Sequence, residues 1–277
     1  VDASFYETLY LWLRRSHIFV GVLGLVAFWI PVIAKKGGRA HIIAGRVFEW
    51  CGYYVATTAL FACARYLLTP HHFAFVDRPD ITAEQLHEIR FAQFFLTLLA
   101  YLACLFLVQL RNGMRVVRTR HLPAEGYRNW EAKFWIFTQT VASLWLISYG
   151  AYRLFNGGSS VHWVSIAVPL IPLSELKKEL RFLNNPREEK MGWWYKHMDC
   201  MCGCGVAFHT AGLLFSTRLI FRYWEIEVSP VFQFIPWLLP TIIGAPLAHW
   251  WVKSYRKKFG DDNTRAAISR ERPVTTV

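Results

Sequence analysis

Six of the ten histidines in this 277-residue sequence lie within or at the ends of long apolar runs. Imidazole binds metals and haem iron and exchanges a proton near neutral pH. An ionisable side chain in an apolar segment is costly, which makes each of the six a candidate for function. They fall into two layers. His41, His197 and His249 sit near one end of their runs, and His17, His162 and His209 lie toward the other. His17 is about eighteen residues, some 27 Å of helix, from the basic boundary at Lys35. Membrane cytochromes of the b type hold two haems with paired His at two depths. His17, His41, His197, His209 and His249 are therefore the candidate cofactor ligands. Gly21, Gly24, Gly45, Gly203, Gly205 and Gly212 lie near them and leave room for a flat macrocycle. The alternative is that these imidazoles cap helices or bond carbonyls.

The run Asp199-Cys200-Met201-Cys202-Gly203-Cys204 follows His197 closely. On a helix, Cys200 and Cys204 share a face with His197, whereas His209 points about 120° away from it. Thiolate and imidazole together suit copper(I) or zinc, giving a candidate metal set of His197, Cys200 and Cys204. The spacing is not that of a zinc ribbon, and small Cys side chains also serve helix packing in membranes. Glu49, three residues after Arg46, and Asp199 are carboxylates inside apolar runs. They are candidates for relaying protons or orienting a ligating His. His71, His72 and His87 in the segment 69–90, and His121 in a basic segment, read as solvated or interfacial. No P-loop, dinucleotide fingerprint, nucleophile–base arrangement or HExxH motif is present.

The elements that must carry these residues are apolar helices. Hydrophobic residues make up 54% of the chain and aromatics 17%, and the mean hydropathy is positive at +0.23. This excludes a disordered chain, a collagen-like repeat and a small disulfide scaffold, and argues strongly against a soluble enzyme. Seven runs of spanning character occur at about 17–34, 42–67, 91–110, 133–154, 160–174, 194–217 and 231–252. The fifth is short and interrupted by Pro169 and Pro172, and is expected to continue as an amphipathic helix over 174–183.

The net charge of +12 is interspersed between these runs, which points away from nucleic acid. Alternate segments, around Lys35–Arg39, 111–133, 177–196 and 253–272, hold most of the 31 Lys and Arg. This bias puts the amino terminus outside and the carboxyl terminus in the cytoplasm. The expected architecture is an all-α polytopic membrane helix bundle. Residues 1–16 form an interfacial amino-terminal helix rather than a cleavable leader, 17–254 the seven-span domain and 255–277 a polar cytoplasmic tail.

Two stretches resemble a bacterial multi-pass membrane family, the domain of unknown function 2306. They are Lys35-Lys36-Gly37-Gly38-Arg39-Ala40-His41 with Gly45-Arg46-Val47-Phe48, and Trp194-Tyr195-Lys196-His197 with Ala207-Phe208-His209-Thr210-Ala211. The resemblance covers less than a third of the chain, and the Cys200–Cys204 run departs from the family pattern. It implies a bacterial inner-membrane location and marks His17, His41 and His197, but it carries no activity.

The leading functional expectation is a redox protein that passes electrons through haem b or copper, with a quinone or a membrane protein as partner; zinc is the alternative bound metal, without a redox role. Were it an enzyme, it would be a membrane oxidoreductase. Two alternatives need no cofactor. One is a proton-coupled small-molecule transporter, resting on Glu49, Asp199 and the Pro-broken fifth helix. The other is a non-catalytic subunit of a larger membrane complex.

Overall fold

A computed structural model describes residues 3–68, 82–122, 128–186, 188–225 and 235–261. All regular structure among them is helical. The helices are α1 (Ala3–Ile33), α2 (Arg39–Leu68), α3 (Ala83–Thr119), α4 (Trp130–Phe155), α5 (Trp163–Asn184), α6 (Gly192–Tyr223) and α7 (Ile235–Phe259), with a 3-10 turn at Ser160–His162. The shortest, α5, has 22 residues, or about 33 Å of rise against a hydrocarbon core of about 30 Å.

Among the described residues, three helices are both long and apolar enough to cross a membrane, over Thr8–Ile33, Ile89–Thr119 and Gly192–Thr217. The others mix apolar with polar residues. Arg46 and Glu49 interrupt α2, Gln139 and Ser143 interrupt α4, and α5 turns polar after Leu173. Large apolar side chains such as Phe19, Trp50, Phe137, Trp163 and Trp250 are exposed on the outward faces, as lipid contact requires.

The amino-terminal segment expected to lie at the interface is continuous with the first apolar run, because α1 has no break at His17. Helix α5 runs on through Pro169 and Pro172 into the amphipathic stretch and ends at Asn184. Residues 255–261, assigned from the sequence to the polar tail, belong instead to the packed structure. Helix α7 reaches Phe259, and Asp261 is buried. Residues 262–277 lie outside the described residues, as do His71 and His72. His87 falls on α3, which begins well before the apolar run.

The chain divides into two compact units. The first comprises α1, α2, residues 83–108 of α3, 136–155 of α4 and 163–176 of α5. A tight turn joins α1 to α2. Gly37 takes a φ of 76°, and the Gly38 amide donates to the Lys35 carbonyl at 2.9 Å. Lys36 Nζ donates to the Pro31 and Val32 carbonyls, 2.6 and 2.7 Å away, and so satisfies acceptors that the helix end leaves open. Phe28 packs on Phe48 between α1 and α2. Within the same unit, Tyr101 on α3 bonds Ser143 on α4 at 3.0 Å. Gly150 on α4 lies so close to α5 that a Cβ there would stand 2.8 Å from the Ser165 Cβ.

The second unit comprises residues 109–119 of α3, 130–135 of α4, 177–184 of α5, and α6 and α7. Its core is Tyr195, Met198 and Val252, ringed by Trp194, Trp251, Tyr255 and Phe259. Asp261 accepts from Tyr195 Oη at 2.6 Å and from the amides of Lys190 and Met191, both at 3.2 Å. Those amides precede the first turn of α6, so a carboxylate just beyond the end of α7 satisfies donors at the entrance to α6. Arg256 stacks 4.9 Å from the Tyr195 ring centre and pairs with Glu189 at 3.2 Å. At the exposed edge, Glu188 pairs with Arg181 and raises the guanidinium pKa above its ordinary value.

Candidate functional site

The imidazoles of His17, His41, His197 and His209 share one feature. In each, Nδ1 faces an oxygen. For His41 it is the Pro31 carbonyl at 3.2 Å, for His197 the Gly113 carbonyl at 2.9 Å, and for His209 the Gly205 carbonyl at 2.7 Å. A carbonyl oxygen only accepts, so Nδ1 must carry the proton and the neutral ring keeps its lone pair on Nε2. His17 Nδ1 lies 2.7 Å from Thr58 Oγ1. The Thr58 hydroxyl donates to the Tyr54 carbonyl at 2.7 Å, which makes its oxygen the acceptor for His17 as well. Four side chains on three helices thus adopt the same tautomer. These are the hydrogen bonds expected of a purely structural imidazole, and they are equally compatible with a His that ligates a metal through its other nitrogen.

Helix placement explains each anchor. His17 and Thr58 stand opposite each other on the antiparallel α1 and α2. Pro31, near the end of α1, presents its carbonyl to both Lys36 and His41. His209 reaches back one turn along its own helix. His197 depends on a close helix crossing, since Gly113 is so near α6 that a Cβ would stand 2.8 Å from the Cys200 Cβ. Only a residue without a side chain brings its carbonyl that near, the use of small residues expected in membrane packing.

The other candidates fall differently. His249 is exposed on α7. The contacts of Val252 with Tyr195 and Met198, and of Gly244 with Val206, put it level with Met201, about a turn from His197. Cys200 and Cys204 are each 1% exposed. No three His, Cys, Asp or Glu side chains converge as a metal-binding group among the described residues, so His197, Cys200 and Cys204 do not form a three-donor set there. A turn before Cys200, Lys196 is in ion contact with Glu179 of α5. Glu49 is 4% exposed, whereas Arg46, one turn earlier, is exposed; the two side chains of this potential pair occupy different environments. Asp199 is half-buried on α6.

His162, at the start of the fifth run, is 3% exposed and lies edge-on to the rings of Phe94 and Tyr149, at 5.1 and 5.8 Å, a packing that the sequence does not show. The Lys196–Glu179 contact, the Gly113 crossing and the Asp261 acceptor are likewise invisible in the sequence. Each joins residues from 17 to 87 positions apart, and no local pattern marks such pairs.

Comparison with protein-family models, with curated proteins and with solved structures gave no match.

Singly placed imidazoles are compatible with haem ligation. A haem iron takes four ligands from the macrocycle and needs only one or two imidazoles from the protein, whereas a copper or zinc site needs three or four protein donors together.

Proposed function

We propose that this chain is a polytopic membrane redox protein in which His17, His41, His197 and His209 present Nε2 as ligands to haem b. The observation that carries this reading is the shared anchoring of four Nδ1 atoms on oxygen atoms, which fixes the orientation of each ring. The protein's part is to hold each ring in orientation through Thr58, Pro31, Gly113 and Gly205 and to exclude water around it. Bound haem would supply one-electron exchange with a quinone or a membrane protein partner. Copper at His197 with Cys200 and Cys204 is the less supported variant, because that donor set is not assembled.

The reading includes a topology. Each of the seven described helices carries one of the seven apolar runs of the sequence, and the Lys and Arg bias favours an external amino terminus and a cytoplasmic carboxyl terminus. The likeness of 35–48 and 194–211 to a bacterial multi-pass family agrees with a location in the inner membrane.

The deciding experiment is the oxidised and dithionite-reduced absorption spectrum of the detergent-purified protein, with metal analysis of the same sample. A Soret band that shifts on reduction and is lost in His197→Ala or His209→Ala supports the reading. A featureless spectrum without stoichiometric metal overturns it. Burial of Glu49 favours a second reading, a proton-coupled carrier, since a carboxylate this enclosed within an apolar helix is a natural proton site. Proton flux in proteoliposomes that is lost in Glu49→Gln would select it.

A further inference from the structure

An open groove of about 780 Å³ runs along the α1–α2 hairpin in the first unit. Val20 and Leu23 of α1 and Ile43, Val47 and Trp50 of α2 form its apolar walls, and Arg46 is the one charged residue among those lining it. Arg46 is exposed and forms no ion pair among the described residues. Its neighbour Glu49 is buried instead. A guanidinium beside apolar walls at membrane depth is costly unless an anion meets it. Lys36, at the basic end of the hairpin, donates to the carbonyls at the end of α1.

Position identifies the anion's source. Arg46 stands seven residues, about 10 Å, beyond the start of α2, close to the basic end of the hairpin at Lys35, Lys36 and Arg39. Its long stem can carry the charge back toward that interface. From Arg46 the groove continues along α2 to Thr57, eleven residues or about 16 Å further. That length matches one leaflet, half of a hydrocarbon core of about 30 Å. A cation at the headgroup level above an apolar channel one leaflet deep is complementary to a molecule with an anionic head and a long acyl chain. The indole of Trp50, 72% exposed, adds a flat apolar wall along the chain.

We propose that this groove binds one anionic phospholipid, with its phosphate on Arg46 and an acyl chain laid along Val20, Leu23, Val47 and Trp50. This rests on the proposed topology, in which α2 spans the membrane, and not on the redox reading.

The test uses the full chain in a mild detergent, with native mass spectrometry and thermal unfolding as readouts. The probes are palmitoyl-oleoyl phosphatidylglycerol, the matching phosphatidylcholine, sodium oleate and inorganic phosphate, each added separately. One phosphatidylglycerol should remain bound per chain and raise the unfolding temperature, while phosphatidylcholine and phosphate do neither. Arg46→Gln should weaken phosphatidylglycerol retention at least tenfold. Val47→Trp, which fills the groove and leaves Arg46 in place, should weaken it as much and carries the test if Arg46→Gln does not fold. Equal retention of both phospholipids, or unchanged retention in a folded variant, overturns the proposal. So does an equal response to phosphate, which would mean a bare anion site, or to oleate, which would mean a fatty-acid site.

Discussion

His197 Nδ1 lies 2.9 Å from the carbonyl oxygen of Gly113, and a Cβ on the same glycine would stand 2.8 Å from that of Cys200. One residue without a side chain thus sets both a helix crossing and the tautomer of a candidate ligand. Gly113→Ala should separate these effects from ordinary packing. Its Cβ would stand 2.8 Å from Cys200 Cβ and 3.1 Å from Met201 Sδ, so the helices must shift. Overpacking of this kind costs about 1–3 kcal/mol. The unfolding temperature in detergent should fall, and any absorption band that depends on His197 should weaken with it. Cys200→Gly in the Gly113→Ala background should restore much of both. A Gly113→Ala variant as stable as the parent would mean that the crossing is looser than described.

The Asp261 carboxylate accepts three hydrogen bonds from the entrance to α6 while itself 3% exposed. Asp261→Ala leaves two amides and the Tyr195 hydroxyl without that acceptor, and each orphaned buried group costs about 1–3 kcal/mol. Tyr195→Phe removes one donor and leaves the carboxylate its two amides, so it should cost about 1 kcal/mol. The expected order of unfolding temperatures is parent, then Tyr195→Phe, then Asp261→Ala. Equal values for parent and Asp261→Ala would show that the carboxylate does not hold α6.

Much of this architecture is legible in the sequence because period and polarity act locally. The runs of apolar residues around His17, Cys104 and His209 announce helices by length alone, and Pro169 with Pro172 marks the weak fifth run. The sequence starts the polar tail too early because Tyr255–Asp261 reads as charged and aromatic. Its aromatic rings pack on Trp194 and its carboxylate turns inward, and both contacts come from residues some sixty positions away. The candidate histidines are identifiable by type and depth, but their tautomers are not. A carbonyl such as that of Gly113 carries no signature in the residue letters; only the fold puts it beside an imidazole.

Lys196 and Glu179 form an ion pair with side chains 13% and 16% exposed. Removing one partner of an enclosed pair leaves the other charge uncompensated, whereas replacing both by apolar groups is often neutral. Lys196→Met should therefore lower stability by about 3–5 kcal/mol if the pair is fully desolvated, and by less in proportion to its residual exposure. Lys196→Met with Glu179→Leu should recover most of the loss. A double variant no better than the singles would show that the two side chains act independently.

The Thr58 hydroxyl donates to the Tyr54 carbonyl and accepts from His17, so it fixes the His17 ring without touching anything on the Nε2 side. Thr58→Val keeps the shape and removes the acceptor. The His17 tautomer is then no longer enforced, and the ring gains rotational freedom. Loss of a partner of this kind typically weakens a metal centre by about 10–100-fold. If the protein binds haem as proposed, Thr58→Val should keep the fold but shift the midpoint potential or release cofactor more readily, and Thr58→Ser should behave like the parent. Redox titration of the three proteins in one detergent checks this. Identical potentials and retention would remove His17 from the ligand set and leave its hydrogen bond as a clasp between α1 and α2.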